Sequence, residues 1–286
     1  MARCDVCFRH CEIADGQLGF CGARTCKDGV VVADNYGCLT SLAPDPIEKK
    51  PLCRFHSGSN ILSVGSYGCN LRCPFCQNYS ISWSEHALNS KSRTEHLSPD
   101  DLVQTALDCR KRGNIGLAFT YNEPLIGYEY VRDTAKKAHD AGLVNVLVTN
   151  GTAELSVLEE ILPCIDAMNI DLKGFTDRYY QDVLKGSRQM VMDFIRRAVR
   201  GCHVELTTLI VPGENDTEEE IRELSAWIAG LDGLPNGKSG CDIPLHITRF
   251  FPRFQMLDRK ATDISLVYRL ADVAREQLEF VYVGNC

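Results

Sequence analysis

Three cysteines carry the most pointed chemistry in the chain. Cys69, Cys73 and Cys76 fall within eight positions of the run GCNLRCPFCQNYS, which extends from Gly68 to Ser80. A C-x3-C-x2-C loop this short can set three sulfurs around one face of an iron–sulfur cubane and leave one iron open to a substrate or cofactor. A zinc ion would need a fourth protein ligand, and no His or Cys occurs in the next nine residues, His86 being the nearest downstream. A zinc knuckle completed by a distant ligand is the competing reading.

A second set stands at the N-terminus. The spacing Cys4-x2-Cys7-x3-Cys11-x9-Cys21 supplies four thiols within eighteen residues, with Cys26 as a spare. That is enough for a structural zinc, which would staple a small Gly-rich segment lacking its own core, or for another iron–sulfur cluster. The chain holds fifteen cysteines in all, an odd and clustered set, which favours metal binding or redox chemistry over a disulfide scaffold. Cys109, Cys164 and Cys202 sit in helix- or strand-like surroundings and read as small buried hydrophobes. Cys38, Cys53 and Cys241 carry no spacing signal, and Cys286 ends the chain straight after a strand.

The elements that must position these thiols divide the 286 residues by texture. Residues 1–57 are loop-rich and form a Cys-rich, metal-binding segment. Residues 58–286 alternate short apolar runs with amphipathic helical stretches. Strands are expected at 60–65, 115–120, 143–149, 167–172, 204–211, 244–250 and 278–284. Ser98-Pro99-Asp100-Asp101 and Thr217-Glu218-Glu219-Glu220 read as helix starts, and Gly113, Gly142 and Gly230 as helix stops. This alternation predicts an α/β fold, a partial (β/α)6 TIM-like barrel with a mainly parallel sheet. No GxGxxG follows a strand, which counts against a dinucleotide-binding sheet.

In such a barrel, chemistry gathers where strands end. The loops after successive strands read TYNEP (120–124), TNGT (149–152), DLKG (171–174) and VPGEND (211–216), and the next strand contains His246. Singly each is an ordinary turn; together, with the thiols on the first loop, they form one polar rim. The net charge of −7 and the lack of a long basic run argue against nucleic acid. The longest apolar runs are about eight residues, too short to span a membrane, and MARCDVC lacks a secretory h-region. A cytoplasmic protein is expected.

The run CNLRCPFC resembles the cluster signature of radical S-adenosylmethionine (SAM) enzymes, with an aromatic residue before the last cysteine. EKKPLCRFHSGSNILSVGSYGCNLRCPFCQNYSIS, AFTYNEP, NIDLKGF, HITRFFPRF and the opening CDVCFRHCEIADGQLGFCGAR are similar to the radical SAM protein of the AmmeMemoRadiSam system, related to pyruvate formate-lyase activating enzymes. The resemblance covers nearly the whole chain. It implies that Cys69, Cys73 and Cys76 ligate three irons of a [4Fe–4S] cluster and that SAM chelates the fourth. Reductive cleavage of SAM would then give a 5′-deoxyadenosyl radical that abstracts hydrogen from a protein or peptide substrate. TYNE takes the place of the family's GGE segment, although both glycines are missing. Thr120, Tyr121, Asn122 and Glu123 thereby become contacts for the SAM amino group. Thr149, Asn150 and Asp171 match positions around the SAM carboxylate and ribose, and Val148 stands where some relatives carry an acid for a monovalent cation. Lys173 would neutralise the methionine carboxylate, Phe75 would lie against the adenine, and His246 would stand near the substrate opening. The implied partners are a low-potential flavodoxin- or ferredoxin-type electron donor and Memo- and AMMECR1-type proteins. A glycyl-radical enzyme activating enzyme is the alternative within this oxidoreductase class, and a non-catalytic metal-binding scaffold is the alternative outside it.

Overall fold

The protein is described here from a computed structural model covering residues 1–83, 86 and 94–286. Its centre is an eight-stranded sheet: β1 (Ser41–Pro46), β2 (Asn60–Gly65), β3 (Asn114–Phe119), β4 (Val144–Thr149), β5 (Ala167–Asp171), β6 (His203–Ile210), β7 (Leu245–Arg249) and β8 (Val281–Gly284). The strands lie side by side in chain order, and each neighbouring pair from β2 to β8 is parallel. Only β1 runs antiparallel, against β2. β1 and β8 are the two outer strands and do not pair with one another, so the parallel α/β sheet stays open as a partial barrel. Near-continuous burial along β2, β3 and β5 is what a parallel sheet covered on both faces requires.

A helix returns the chain between each pair of parallel strands: α1 (Pro99–Asp108), α2 (Tyr128–Asp140), α3 (Leu155–Ile161), α4 (Arg188–Ala198), α5 (Glu218–Ala229) and α6 (Ile264–Arg275). Their ends follow the local chemistry of the sequence. Ser98 and Asp101 form a capping box ahead of α1, and the Thr217 side chain accepts the Glu220 N–H ahead of α5. Gly113 and Gly142 take positive φ of 80° and 68°, the left-handed stop that favours glycine.

All seven strands expected from the sequence are present. β1 was not expected. Pro44 and Pro46 mask it in the sequence, and its alternating half-exposed pattern fits an edge strand, where a missing N–H costs little. Residues 41–46, placed by sequence texture in the N-terminal segment, thus belong to the sheet. The cysteine-bearing residues before them form short two-stranded ladders, Ala2–Arg3 with Glu12–Ile13, Arg24–Lys27 with Val30–Ala33 and Cys38–Leu39 with Glu95–His96.

The connection from β1 to β2 lies at the end of the sheet where β2 begins, opposite the cysteine loop. It is held there by a charge. Glu205, the third residue of β6, is fully buried; it accepts the backbone N–H groups of Cys53 (2.9 Å) and Arg54 (2.7 Å) and the ring N–H groups of His203 (3.0 Å) and His246 (2.7 Å). Burial opposes the carboxylate, but the four donors outweigh it and hold Glu205 down at about 2. Asn169 of β5 adds a bond to the Pro51 carbonyl (2.8 Å). Beside it, Asp45 of β1 accepts bonds from Lys50 (2.9 Å), Ser63 (2.9 Å) and Tyr121 (2.9 Å).

Replacing Glu205 by Ala strands these donors in the interior and is expected to cost about 3–5 kcal/mol in urea unfolding at neutral pH. Because its folded pKa lies below the ordinary carboxylate value, the Glu205 contribution is complete above about 4.5 and lost as pH falls through about 2. The stability gap between wild type and Glu205→Gln should close over that window. Equal stability of the two at pH 7 would contradict the assignment.

Candidate functional site

The cysteine loop leaves the end of β2 and is fastened from three sides. Asn122, just past β3, accepts the Ser66 N–H at Oδ1 (3.0 Å) and donates from Nδ2 to the carbonyls of Tyr67 and Gly68, each at 3.2 Å. From the N-terminal segment, the Cys21 carbonyl accepts the Cys69 N–H (3.2 Å), and past β5 the Leu184 carbonyl accepts the Arg72 N–H (2.9 Å). The Arg72 guanidinium folds back onto the carbonyls of Cys69 and Leu71, each at 2.8 Å. Gly68 has φ of +91°, and a Cβ there would stand 2.7 Å from both the Cys21 carbonyl oxygen and the Ala23 methyl. Glycine alone meets both demands.

The sulfurs sit in a donor-rich, dry setting. Cys69 Sγ accepts the Leu71 N–H at 3.4 Å and the Asn150 side-chain amide at 3.7 Å. The Asn78 N–H and the Ser82 hydroxyl favour the Cys76 thiolate. Burial is the main reason that all three thiols are pushed up, Cys73 to about 12, with the neighbouring Glu123 carboxylate adding to it at Cys69. Three thiolates here therefore need a positively charged partner. Among the described residues, no three His, Cys, Asp or Glu side chains are drawn together to hold one metal ion. Three thiols on one short loop, one of them receiving the Leu71 N–H and the Asn150 amide, are a donor set that fits three irons of a cluster.

Glu123 organises the rim. It is 3 % exposed; Oε1 accepts the Thr149 hydroxyl (2.7 Å) and the Leu125 N–H (3.1 Å), and Oε2 accepts the Asn150 N–H (2.8 Å). Burial raises its carboxyl to about 7 despite these bonds. Thr120 is buried at the end of β3, where its N–H meets the Val64 carbonyl (2.9 Å). Asn150 donates to Asn70 Oδ1 (3.0 Å) as well as to Cys69. On the other side, Lys173 Nζ pairs with Asp171 at 2.8 Å. Burial disfavours the ammonium, but Asp171 and the Cys73 sulfur prevail and hold Lys173 charged. The rim thus presents a carboxyl, amides and an ion pair around the sulfurs.

Three of the expected contact residues have partners within the protein. The Tyr121 hydroxyl is taken up by Asp45, and only its backbone carbonyl serves the loop, accepting the Asn78 amide at 2.7 Å. Phe75 packs edge-on against Phe250, with ring centroids 6.3 Å apart. His246 is corrected: it is buried, bonded to Glu205 and stacked on Tyr282 at 5.2 Å, and so belongs to the network opposite the loop. A polar residue inside an apolar strand run looks the same in sequence whether it serves the rim or a buried network. The sequence reading missed Asn70, which joins Asn150 to Thr152 (2.8 Å). Its position directly after Cys69 was the available signal.

Gly68→Ala combines a left-handed φ with a backbone clash, and a loss of about 1–3 kcal/mol in chemical unfolding is expected. Wild-type stability in this variant would show that the N-terminal segment does not press on the loop.

The chain is similar to known proteins in sequence and in fold. An uncharacterised protein of Methanocaldococcus jannaschii is 37% identical over 286 residues, 99% of this chain and 81% of its own. The pyruvate formate-lyase 1-activating enzyme of Escherichia coli K12 is 25% identical over 58% of this chain and 68% of its own. In fold, a radical SAM methyltransferase from Sphaerobacter thermophilus superposes with a TM-score of 0.58 at 15% identity, covering 80% of this chain and 67% of that one. Residues 63–227 match the Radical SAM superfamily, and the chain belongs to it.

Proposed function

We propose that the protein is a radical SAM enzyme whose Cys69, Cys73 and Cys76 hold a [4Fe–4S] cluster and whose rim holds SAM. The observation that carries this reading is the single buried hydrogen-bond chain from Glu123 through Asn150 to Cys69 Sγ, which couples the rim to the cysteine loop. When bound, the cluster and SAM together supply reductive cleavage of the sulfonium and a carbon-centred radical for hydrogen abstraction.

The residues of the chain do the rest. Glu123, Asn150 and the Asp171–Lys173 pair offer an anion, amides and a cation to the two charged ends of an amino acid. Asn122 and Arg72 hold the loop in place. The buried strand ends of β2 to β5 keep water from the reacting centre, which a radical requires. The reaction expected is hydrogen abstraction from a protein or peptide, with electrons delivered by a flavodoxin- or ferredoxin-type donor and Memo- and AMMECR1-type proteins as partners.

Activation of a glycyl-radical enzyme is the second reading. It is favoured by the likeness to the Escherichia coli enzyme and to a 4-hydroxyphenylacetate decarboxylase activating enzyme of Clostridioides difficile, 20% identical over 74% of this chain.

Anaerobically reconstituted protein, given SAM and dithionite, is expected to form 5′-deoxyadenosine, and the Cys69→Ala, Cys73→Ala, Cys76→Ala protein to form none. Glu123→Gln should weaken SAM binding about tenfold or more, the scale of one lost charge-assisted hydrogen bond. Product formation that survives the triple replacement would overturn the function, as a metal-binding scaffold would by forming no product in the wild type.

A further inference from the structure

The N-terminal cysteines converge although their spacing in sequence is loose. Cys4, Cys7, Cys11 and Cys21 line one small cavity together with Arg9, whereas the spare Cys26 does not. Two tight turns bring them there. The His10 N–H closes on the Cys7 carbonyl (3.1 Å), with Cys4 N–H on the Cys11 carbonyl (2.9 Å), and the Gly22 N–H closes on the Gly19 carbonyl (3.0 Å).

The sulfurs are prepared as those of the first loop are. The Arg9 N–H, two residues on, favours the Cys7 thiolate, and those of Ala23 and Arg24 favour that of Cys21, each opposing the rise that burial imposes. In the loop of the family signature, Cys69 Sγ accepts the Leu71 N–H and the Asn78 N–H favours the Cys76 thiolate, again two residues on. Such bonds satisfy a metal-bound thiolate and are made by the ligand turn itself.

The two sets abut. The Cys69 N–H bonds to the Cys21 carbonyl (3.2 Å), and Asn70, whose amide favours the Cys7 thiolate, accepts at Oδ1 the Asn150 amide, which also donates to Cys69 Sγ. Arg9 donates to the Asn70 carbonyl at 2.7 Å, placing a cation between the two thiol groups.

We propose that Cys4, Cys7, Cys11 and Cys21 ligate a second iron–sulfur cluster, set directly against the first. Four thiolates leave no iron open, so this cluster binds no substrate and differs in kind from that of the three-cysteine loop. The assignment does not depend on SAM chemistry at the first site.

The test is iron, sulfide and zinc analysis of the full chain, purified and reconstituted anaerobically. The Cys69→Ala, Cys73→Ala, Cys76→Ala protein should keep about half the wild-type iron and sulfide and its absorption near 400 nm. Cys7→Ser with Cys21→Ser should also lose about half, leaving a cluster that the reduced protein shows by electron paramagnetic resonance (EPR). A triple variant that holds zinc in place of iron, or holds neither metal, overturns the proposal. If wild type makes no 5′-deoxyadenosine while the triple variant keeps half its iron, the proposed function falls and the second cluster stands.

Discussion

A buried carboxyl is the constraint on which the site depends. Glu123 sits where β3 ends, out of water, with three donors from two loops on its oxygens. Such a group is costly to bury unless it is bonded on every side, so the 149–151 turn cannot drift without leaving it unpaired. Its neighbour Asn122 ties down the start of the cysteine loop in the same way. Two adjacent side chains therefore set the position of the thiols relative to the rim, and neither is a metal ligand.

The opposite end of the sheet follows the same logic with a different residue. Glu205 gathers two imidazoles and two backbone N–H groups and so pins the β1–β2 connection across the sheet. Asp45 does likewise for Lys50 and Tyr121. Burial raises Glu123 and leaves Glu205 low because the donors differ in number and include two imidazoles in the second case. One carboxyl is poised at the rim; the other is a structural anion.

Much of this was legible in the residues. The seven parallel strands announce themselves as apolar runs between capped helices, and the C-x3-C-x2-C loop and TNGT turn lie where the strand pattern puts them. β1 was hidden by its prolines, whose tolerance at an edge is a property of the assembled sheet. His246 was misplaced because the identity of a polar residue in a strand does not say which end of the barrel it serves; its partner Glu205, a charge in the middle of HVELTTLIV, was the overlooked clue. The convergence of Cys4, Cys7, Cys11 and Cys21 was expected from their number, while their contact with Asn70 is a tertiary fact that no local spacing encodes.

The central claim is that SAM binds against the cluster of the three-cysteine loop. The most direct measurement is the EPR spectrum of the dithionite-reduced protein with and without SAM. The account predicts that SAM shifts the g values of the signal lost in the Cys69→Ala, Cys73→Ala, Cys76→Ala protein. A spectrum unchanged at saturating SAM would contradict it.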